Sequence, residues 1–294
     1  MDGMHADHEH DDLHDRGLAF DLAVLRARAH QPTRFERRSA LKLLAGAGAG
    51  LLLVACGSDD QSTATTTTGD STTTTAGGTT TTGSSGTSVD TIPEETGGPF
   101  PGDGTNGPNV LVESGIVRQD IRSSFGSYTG TAEGVPLTID LTVVDADRGA
   151  PLAGAAVYAW HCDRDGGYSL YSDGVTDQNY LRGVQEADDD GRLSFISVFP
   201  AAYPGRWPHV HFEVFRDLAT ATSAGSRIVT SQLALPEDVC AAVYATTGYE
   251  QSVPNLAQTS LDRDMVFSDG YDAQLAAVSG SVDAGVTATL TVGV

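Results

Sequence analysis

The chain has 294 residues, with 17 Lys and Arg against 39 Asp and Glu and a formal net charge of −22. So acidic a surface repels nucleic acid and anionic lipid, which argues against a polyanionic partner and leaves a small neutral ligand unhindered. Only three cysteines and eight histidines are available for metal or redox chemistry.

Residues 1–56 read as an export signal. "FERRSALKLLAGAGAGLLLVAC" sets the twin arginines Arg37 and Arg38 before an apolar run and ends in a lipobox-like "LVAC". The run is shorter than the roughly 20 residues of a membrane span. Twin arginines with a lipobox imply a Tat-type lipoprotein signal, cut before Cys56, which then carries the lipid. His5, His8, His10 and His14 fall in this leader and receive no role.

Residues 57–91 are rich in Thr, Gly and Ser, with too few apolar side chains to offset the entropy of ordering, and are expected to form a flexible tether. The expected location is outside the cytoplasm, membrane-anchored on the cell surface or periplasmic side. In an oxidising compartment the two remaining cysteines, Cys162 and Cys240, are expected to pair as a disulfide.

From residue 92 the pattern is that of strands. "LTIDLTVVD" (137–145) alternates apolar and polar residues, and "GAAVYAWHCD" (154–163) follows. "GRLSFISVFP" (191–200) opens after the turn "DDDG", and "WPHVHFEVF", "RIVTSQLAL" and "VTATLTVGV" come later. Only "PEDVCAAVYA" (236–245) reads as a helix. The expected fold class is all-β, an antiparallel β-sandwich over 92–294 with few short helices.

The chemistry concentrates in "YPGRWPHVHF" (203–212). On a strand, residues two apart point the same way, so His209 and His211 share a face, as two ligands of one metal would. Past the leader only His161 accompanies them. That is too few for a copper–zinc dismutase site, and Glu213 stands too close for a cupin site. Oxygen donors must then complete any metal site. Tyr203 lies in the preceding loop and Tyr168 in "HCDRDGGYSLY". Phenolate is a hard anionic donor suited to trivalent iron, and a bound cation lowers a phenol's pKa. His161 reads as a hydrogen-bonding residue and Asp163 as a turn or supporting acid. "EADDDG" reads as a solvated turn.

"VYAWHCDRDGGYS", "YLRGVQEADDDGRLSFISVFPAAYPGRWPHVHFEV" and "SQLALPEDVCAAVY", in this order, resemble the intradiol ring-cleavage dioxygenases. The likeness is greatest to secreted bacterial members related to the protocatechuate 3,4-dioxygenase β subunit and catechol 1,2-dioxygenase. The resemblance implies a β-sandwich with a loop-borne iron site. Its Fe(III) ligands fall on Tyr168, Tyr203, His209 and His211, with Tyr171 as the alternative first phenol. Catalytic roles fall on Arg206, on Gln232 and on Tyr203 as a proton acceptor. It further implies cleavage of a catechol-type aromatic diol by O2 between its two hydroxylated carbons. Two departures bear on the substrate. The Tyr203–His209 interval lacks the inserted loop of the classical enzymes, and "GGPFPG" lacks an acid and a second aromatic found there. A more open pocket is expected. The alternative reading is a surface-tethered β-sandwich binding module without catalysis.

Overall fold

In the computed structural model, residues 88–223 and 225–294 are described; the export signal and nearly all of the tether lie outside them. Residues just before 92 already contact the domain. The Val89 amide donates to Ala146 O at 3.0 Å, and Thr91 bridges to Gly293. Residues 88–91, read as tether, therefore join the domain.

Among the described residues nine strands form two sheets: β1 Pro136–Asp145, β2 Ala150–Pro151, β3 Ala156–Trp160, β4 Arg182–Glu186, β5 Arg192–Val198, β6 His209–Phe215, β7 Val229–Ala234, β8 Ala277–Ser281 and β9 Gly285–Gly293. One sheet runs β2-β1-β9-β8, with β5 also paired to β1; the other runs β4-β3-β6-β7. The short helices are α1 Leu218–Thr222, α2 Glu237–Tyr244 and α3 Ser252–Leu256. Among the described residues no helix is long and apolar enough to cross a membrane.

Alternation explains the core. Leu137, Ile139, Leu141 and Val143 of β1 are buried, as are Val157 and Ala159 of β3 and Val210, Phe212 and Val214 of β6; all join one apolar cluster fed by both sheets. Each such side chain contributes about 1.5–3 kcal/mol on leaving water, so this cluster is the main stabilising feature. β3 and β6 are buried on both faces. Their second face meets a separate cluster with Tyr158, Trp160, Cys162 and Tyr168, covered by Val110, Leu111 and Ile116 from the segment before β1. His209 and His211 lie on that second face of β6.

The sheets depart from a purely antiparallel arrangement. β1 and β9 run parallel, with Leu137 opposite Val286 and Val143 opposite Val292. Period-two alternation is the same for either direction, and the two strands are too far apart in sequence for hairpin logic. The expected turn before β5 is present. Asp188 Oδ1 accepts from the Asp190 and Arg192 amides, and Gly191 takes φ +75 where a Cβ would meet Val143 O at 2.4 Å. Only glycine fits there.

β4 and β8 were not expected as strands. β4 carries Arg182, which is 1% exposed. Its guanidinium has five donors and uses all of them. Nε donates to Ser169 Oγ, Nη1 to Pro101 O and Tyr158 Oη, and Nη2 to Phe100 O and Ser169 O. A buried cation is tolerated because no N–H is orphaned. Arg182 thereby ties the "GGPF" loop to the segment that bears Tyr168.

The disulfide expected between Cys162 and Cys240 does not form. Both thiols are free and buried, each in a different apolar cluster, Cys162 with Trp160 and Cys240 on the buried side of α2 itself. Each fills core space, as a small apolar side chain would. Burial raises both thiols well above their ordinary pKa. Cys162 and Cys240 should therefore resist thiol reagents until the protein unfolds, as mapped by mass spectrometry, and a reductant should leave Tm unchanged. A Tm lowered by reductant would restore the disulfide.

Candidate active site

His209 and His211 open β6, one after the other on its second face. The His211 ring stacks on Trp160 with centroids 4.9 Å apart and planes 4° from parallel. That contact follows from register, since Trp160 is the β3 partner of His211 and Gln232 its partner on β7. Gly98 closes the far side of the imidazole. It takes φ +70, and a Cβ there would stand 3.4 Å from His211 Cε1.

Four donor atoms form a chain of close contacts. Tyr168 Oη is 3.3 Å from Tyr203 Oη, which is 3.3 Å from His209 Nε2, which is 3.0 Å from His211 Nε2. His209 Nδ1 lies 2.5 Å from Trp207 O. A carbonyl only accepts, so Nδ1 carries the proton and Nε2 presents its lone pair to the cluster. That lone pair faces Tyr203 Oη, His211 Nε2 and, at 3.5 Å, Arg206 Nη1. Arg206 Nη1, Tyr203 Oη and His211 Nε2 thus crowd around one acceptor atom. A cation at the convergence would serve all four atoms, and orienting a ligating histidine through its other nitrogen is the usual device of metal sites. His211 Nδ1 has no hydrogen-bond partner.

Burial sets the electrostatics. Desolvation raises the Tyr168 phenol well above its ordinary value, with Tyr203 adding to the effect. It raises Tyr203 to about 12 despite the opposing charge of Arg206. The imidazoles move the other way, well below 6.5, through burial first and then the nearby Arg206 for His209 and His209 itself for His211. Two neutral imidazoles thus face two neutral phenols that only a strong positive charge would ionise at neutral pH. Among the described residues no group of three or more His, Cys, Asp or Glu is placed to hold a metal. The donor set of two nitrogens and two phenol oxygens suits hard Fe(III).

Tyr171 lies outside this cluster. Its hydroxyl donates to Asn106 O at 2.9 Å and accepts from the Gly102 amide at 2.9 Å. His161 is also engaged elsewhere, with Nδ1 2.7 Å from Cys162 O and Nε2 2.6 Å from Ser197 Oγ. Asp163 caps its own turn, accepting from the Asp165 and Gly167 amides and from Tyr180 Oη. Glu213, on the face of His211, pairs with Arg227 at 3.3 Å.

Arg206 reaches the cluster through Nη1, 3.5 Å from His209 Nε2, and Gln232 joins it only through Arg206. Arg206 is 6% exposed; its Nη2 donates to Gln232 Oε1 at 2.6 Å, while Gln232 Nε2 donates to Thr96 O at 2.9 Å. Sequence reasoning missed two neighbours. Asp264 accepts from Arg206, and the Phe267 ring lies 6.5 Å from His209. Both come from the segment after α3, where no motif marked them.

Residues 107–245 match the family model Dioxygenase_C, described as "Dioxygenase". A chlorocatechol 1,2-dioxygenase of Rhodococcus opacus is 40% identical over 55 residues, 19% of this chain and 21% of that protein. A hydroxyquinol 1,2-dioxygenase of Nocardioides simplex is 29% identical over 133 residues, 39% of this chain and 42% of that protein. The matched stretches thus cover well under two thirds of either relative. Among solved structures, an intradiol ring-cleavage dioxygenase from Tetranychus urticae is similar in fold, with a TM-score of 0.55 and 23% identity, covering 69% of this chain and 94% of that one.

Proposed function

We propose that the chain belongs to the intradiol ring-cleavage dioxygenases and is a non-haem Fe(III) dioxygenase, a reading supported by the dioxygenase family match over 107–245, by its similarity to 1,2-dioxygenases and by its fold. Its substrate would be a catechol-type diol, cleaved between the two hydroxylated carbons with both atoms of O2 entering the product. The observation that carries this reading is the chain of contacts from Tyr168 Oη through Tyr203 Oη and His209 Nε2 to His211 Nε2, each link between 3.0 and 3.3 Å. On this reading the two sheets would be the family's sandwich, and side chains of β6 and of the loops bearing Tyr168 and Tyr203 would hold the iron.

Tyr168, Tyr203, His209 and His211 would hold the metal. Fe(III), when bound, would polarise the two diol oxygens as a Lewis acid and leave the ring electron-rich toward O2. The other parts belong to the chain. Tyr203, half-buried in the cluster and ionised when the metal is held, would take a proton from a diol hydroxyl on its phenolate oxygen. Arg206 would hold a fixed positive charge beside the ring, where negative charge develops on the attacked carbon, in a site from which water is largely excluded. Gln232 would keep Nη2 of that guanidinium in place. Each of the two diol carbons loses two electrons on becoming a carboxyl carbon, and these four electrons match the four that O2 accepts, so no external reductant is required.

We read residues 1–56 as a Tat-type lipoprotein signal, so that the domain works outside the cytoplasm on a tether from Cys56. The full chain loaded with Fe(III) should be red-brown from phenolate-to-iron charge transfer. Its visible band should shift on adding catechol, with one O2 consumed per catechol. A colourless chain that stays metal-free after Fe(III) loading would overturn the proposal and favour the tethered binding module.

A further inference from the structure

Asp264 is the most heavily bonded group near the cluster, and it lies beyond the matched stretch 107–245. It follows the 3₁₀ turn Leu261–Arg263 and precedes another at Phe267–Asp269. Val266 and Phe267 pack there with Trp207 and Ala234 in one apolar cluster. Asp264 is 0% exposed. Its carboxylate accepts from five N–H groups. Arg206 Nε donates to Oδ2 at 2.9 Å and Nη2 to Oδ1 at 3.3 Å; the Trp207 amide donates to Oδ2 at 2.6 Å. The Val266 and Phe267 amides donate to Oδ1 at 2.8 and 3.4 Å.

A carboxylate has about four lone-pair sites, so Asp264 has no capacity left for a metal or a substrate. Its charge faces one guanidinium. With Nε and Nη2 engaged by Asp264 and Gln232, the arm left over is Nη1, and it stands 3.5 Å from His209 Nε2. A flexible arginine on so acidic a chain would otherwise find many carboxylates to pair with. Two anchors on a planar fork remove that choice, because rotation about Cδ–Nε would break both.

We propose that Asp264 is the positioning residue for Arg206, turning Nη1 toward the four-donor cluster from a C-terminal segment outside the matched region. The proposal rests on the catalytic reading of Arg206 given above. Asp264 touches no reacting atom and acts through Arg206 alone.

The test uses the full chain loaded with Fe(III), with catechol as the probe, and compares Asp264→Asn, Arg206→Ala and the double variant. Asparagine offers one acceptor oxygen where five N–H groups converge, so the guanidinium loses one anchor. Asp264→Asn should keep its iron and its visible band while kcat falls about 100-fold. In the Arg206→Ala background the same change should lower kcat by no more than about threefold, since the group it acts through is gone. If iron content and kcat fall together, or the two losses multiply, the role is only structural and the proposal fails. Should Asp264→Asn not fold, Asp264→Glu carries the same comparison. There kcat should fall about tenfold at unchanged iron content, and an unchanged kcat overturns the proposal.

A second readout needs no turnover. In the iron-free, 15N-labelled chain, the Arg206 Nε–H resonance should exchange slowly with solvent, and in Asp264→Asn it should be lost while other resonances persist. A wild-type chain that shows this resonance but cleaves no catechol sinks the dioxygenase reading and leaves the positioning intact. An active wild type with an equally active Asp264→Asn sinks the positioning alone.

Discussion

His211→Ala should bind Fe(III) at least about 100-fold more weakly than the parent chain, since losing even a supporting partner of a ligand costs 10–100-fold. The substitution removes one of two imidazoles that share a strand face, and three donors remain. It also empties the space beside the Trp160 ring, on which His211 stacks at 4.9 Å. Stability should fall by about 1–3 kcal/mol, too little to unfold a domain with so large a core. Iron titration monitored through the visible band, together with thermal unfolding, separates the two effects.

The same titration carries a pH dependence whose sign follows from the site. The imidazoles lie well below 6.5 and are already neutral at pH 7, so they release no proton on binding. The phenols lie above their ordinary value, Tyr203 at about 12, so each must release one. Apparent iron affinity should therefore rise with pH from neutrality toward the phenol value, by about two log units per pH unit, with two protons released per iron. Proton release can be counted in weakly buffered solution. A count of one would remove either Tyr168 or Tyr203 from the ligand set.

Arg206→Ala should lower kcat by about 10²–10³ at unchanged iron content, the usual loss when a preorganised donor facing developing charge is removed. Arg206→Lys should not restore it. An ammonium is a point charge without the fork that joins Asp264 at 2.9 Å to Gln232 at 2.6 Å. O2 uptake with catechol measures both variants. Activity within about threefold of the parent would assign Arg206 to the pairing with Asp264 and not to the chemistry.

The parts of this protein legible in its sequence are those that local spacing encodes. Alternation in "LTIDLTVVD" and "LSFISVF" marked β1 and β5, and Pro236 with Glu237 marked the start of α2. H-x-H on a strand put His209 and His211 on one face whatever the rest of the fold did, because side chains alternate with period two. The family resemblance put the first phenol on Tyr168 with Tyr171 as the alternative, and the structure brings Tyr168 to the cluster and turns Tyr171 to Asn106 O. β4 was hidden because its most informative residue, Arg182, is charged, and only five long-range acceptors make its burial tolerable.

Tertiary structure alone decided the rest. Whether β1 and β9 run parallel leaves no trace in an alternating pattern, and whether Cys162 meets Cys240 depends on which apolar cluster each one fills. Asp264 is 58 residues from Arg206, in a segment with no motif. Such a pairing has no sequence period to reveal it, since it depends on where the chain returns after α3. The sequence by itself determined that His209 and His211 share a face and which nearby residues carry oxygen donors, because strand period sets facing and residue type sets donor chemistry. Their approach to within about 3 Å of one another, and the aim of Arg206 at them, required the packed chain, because only long-range contacts specify distance and orientation.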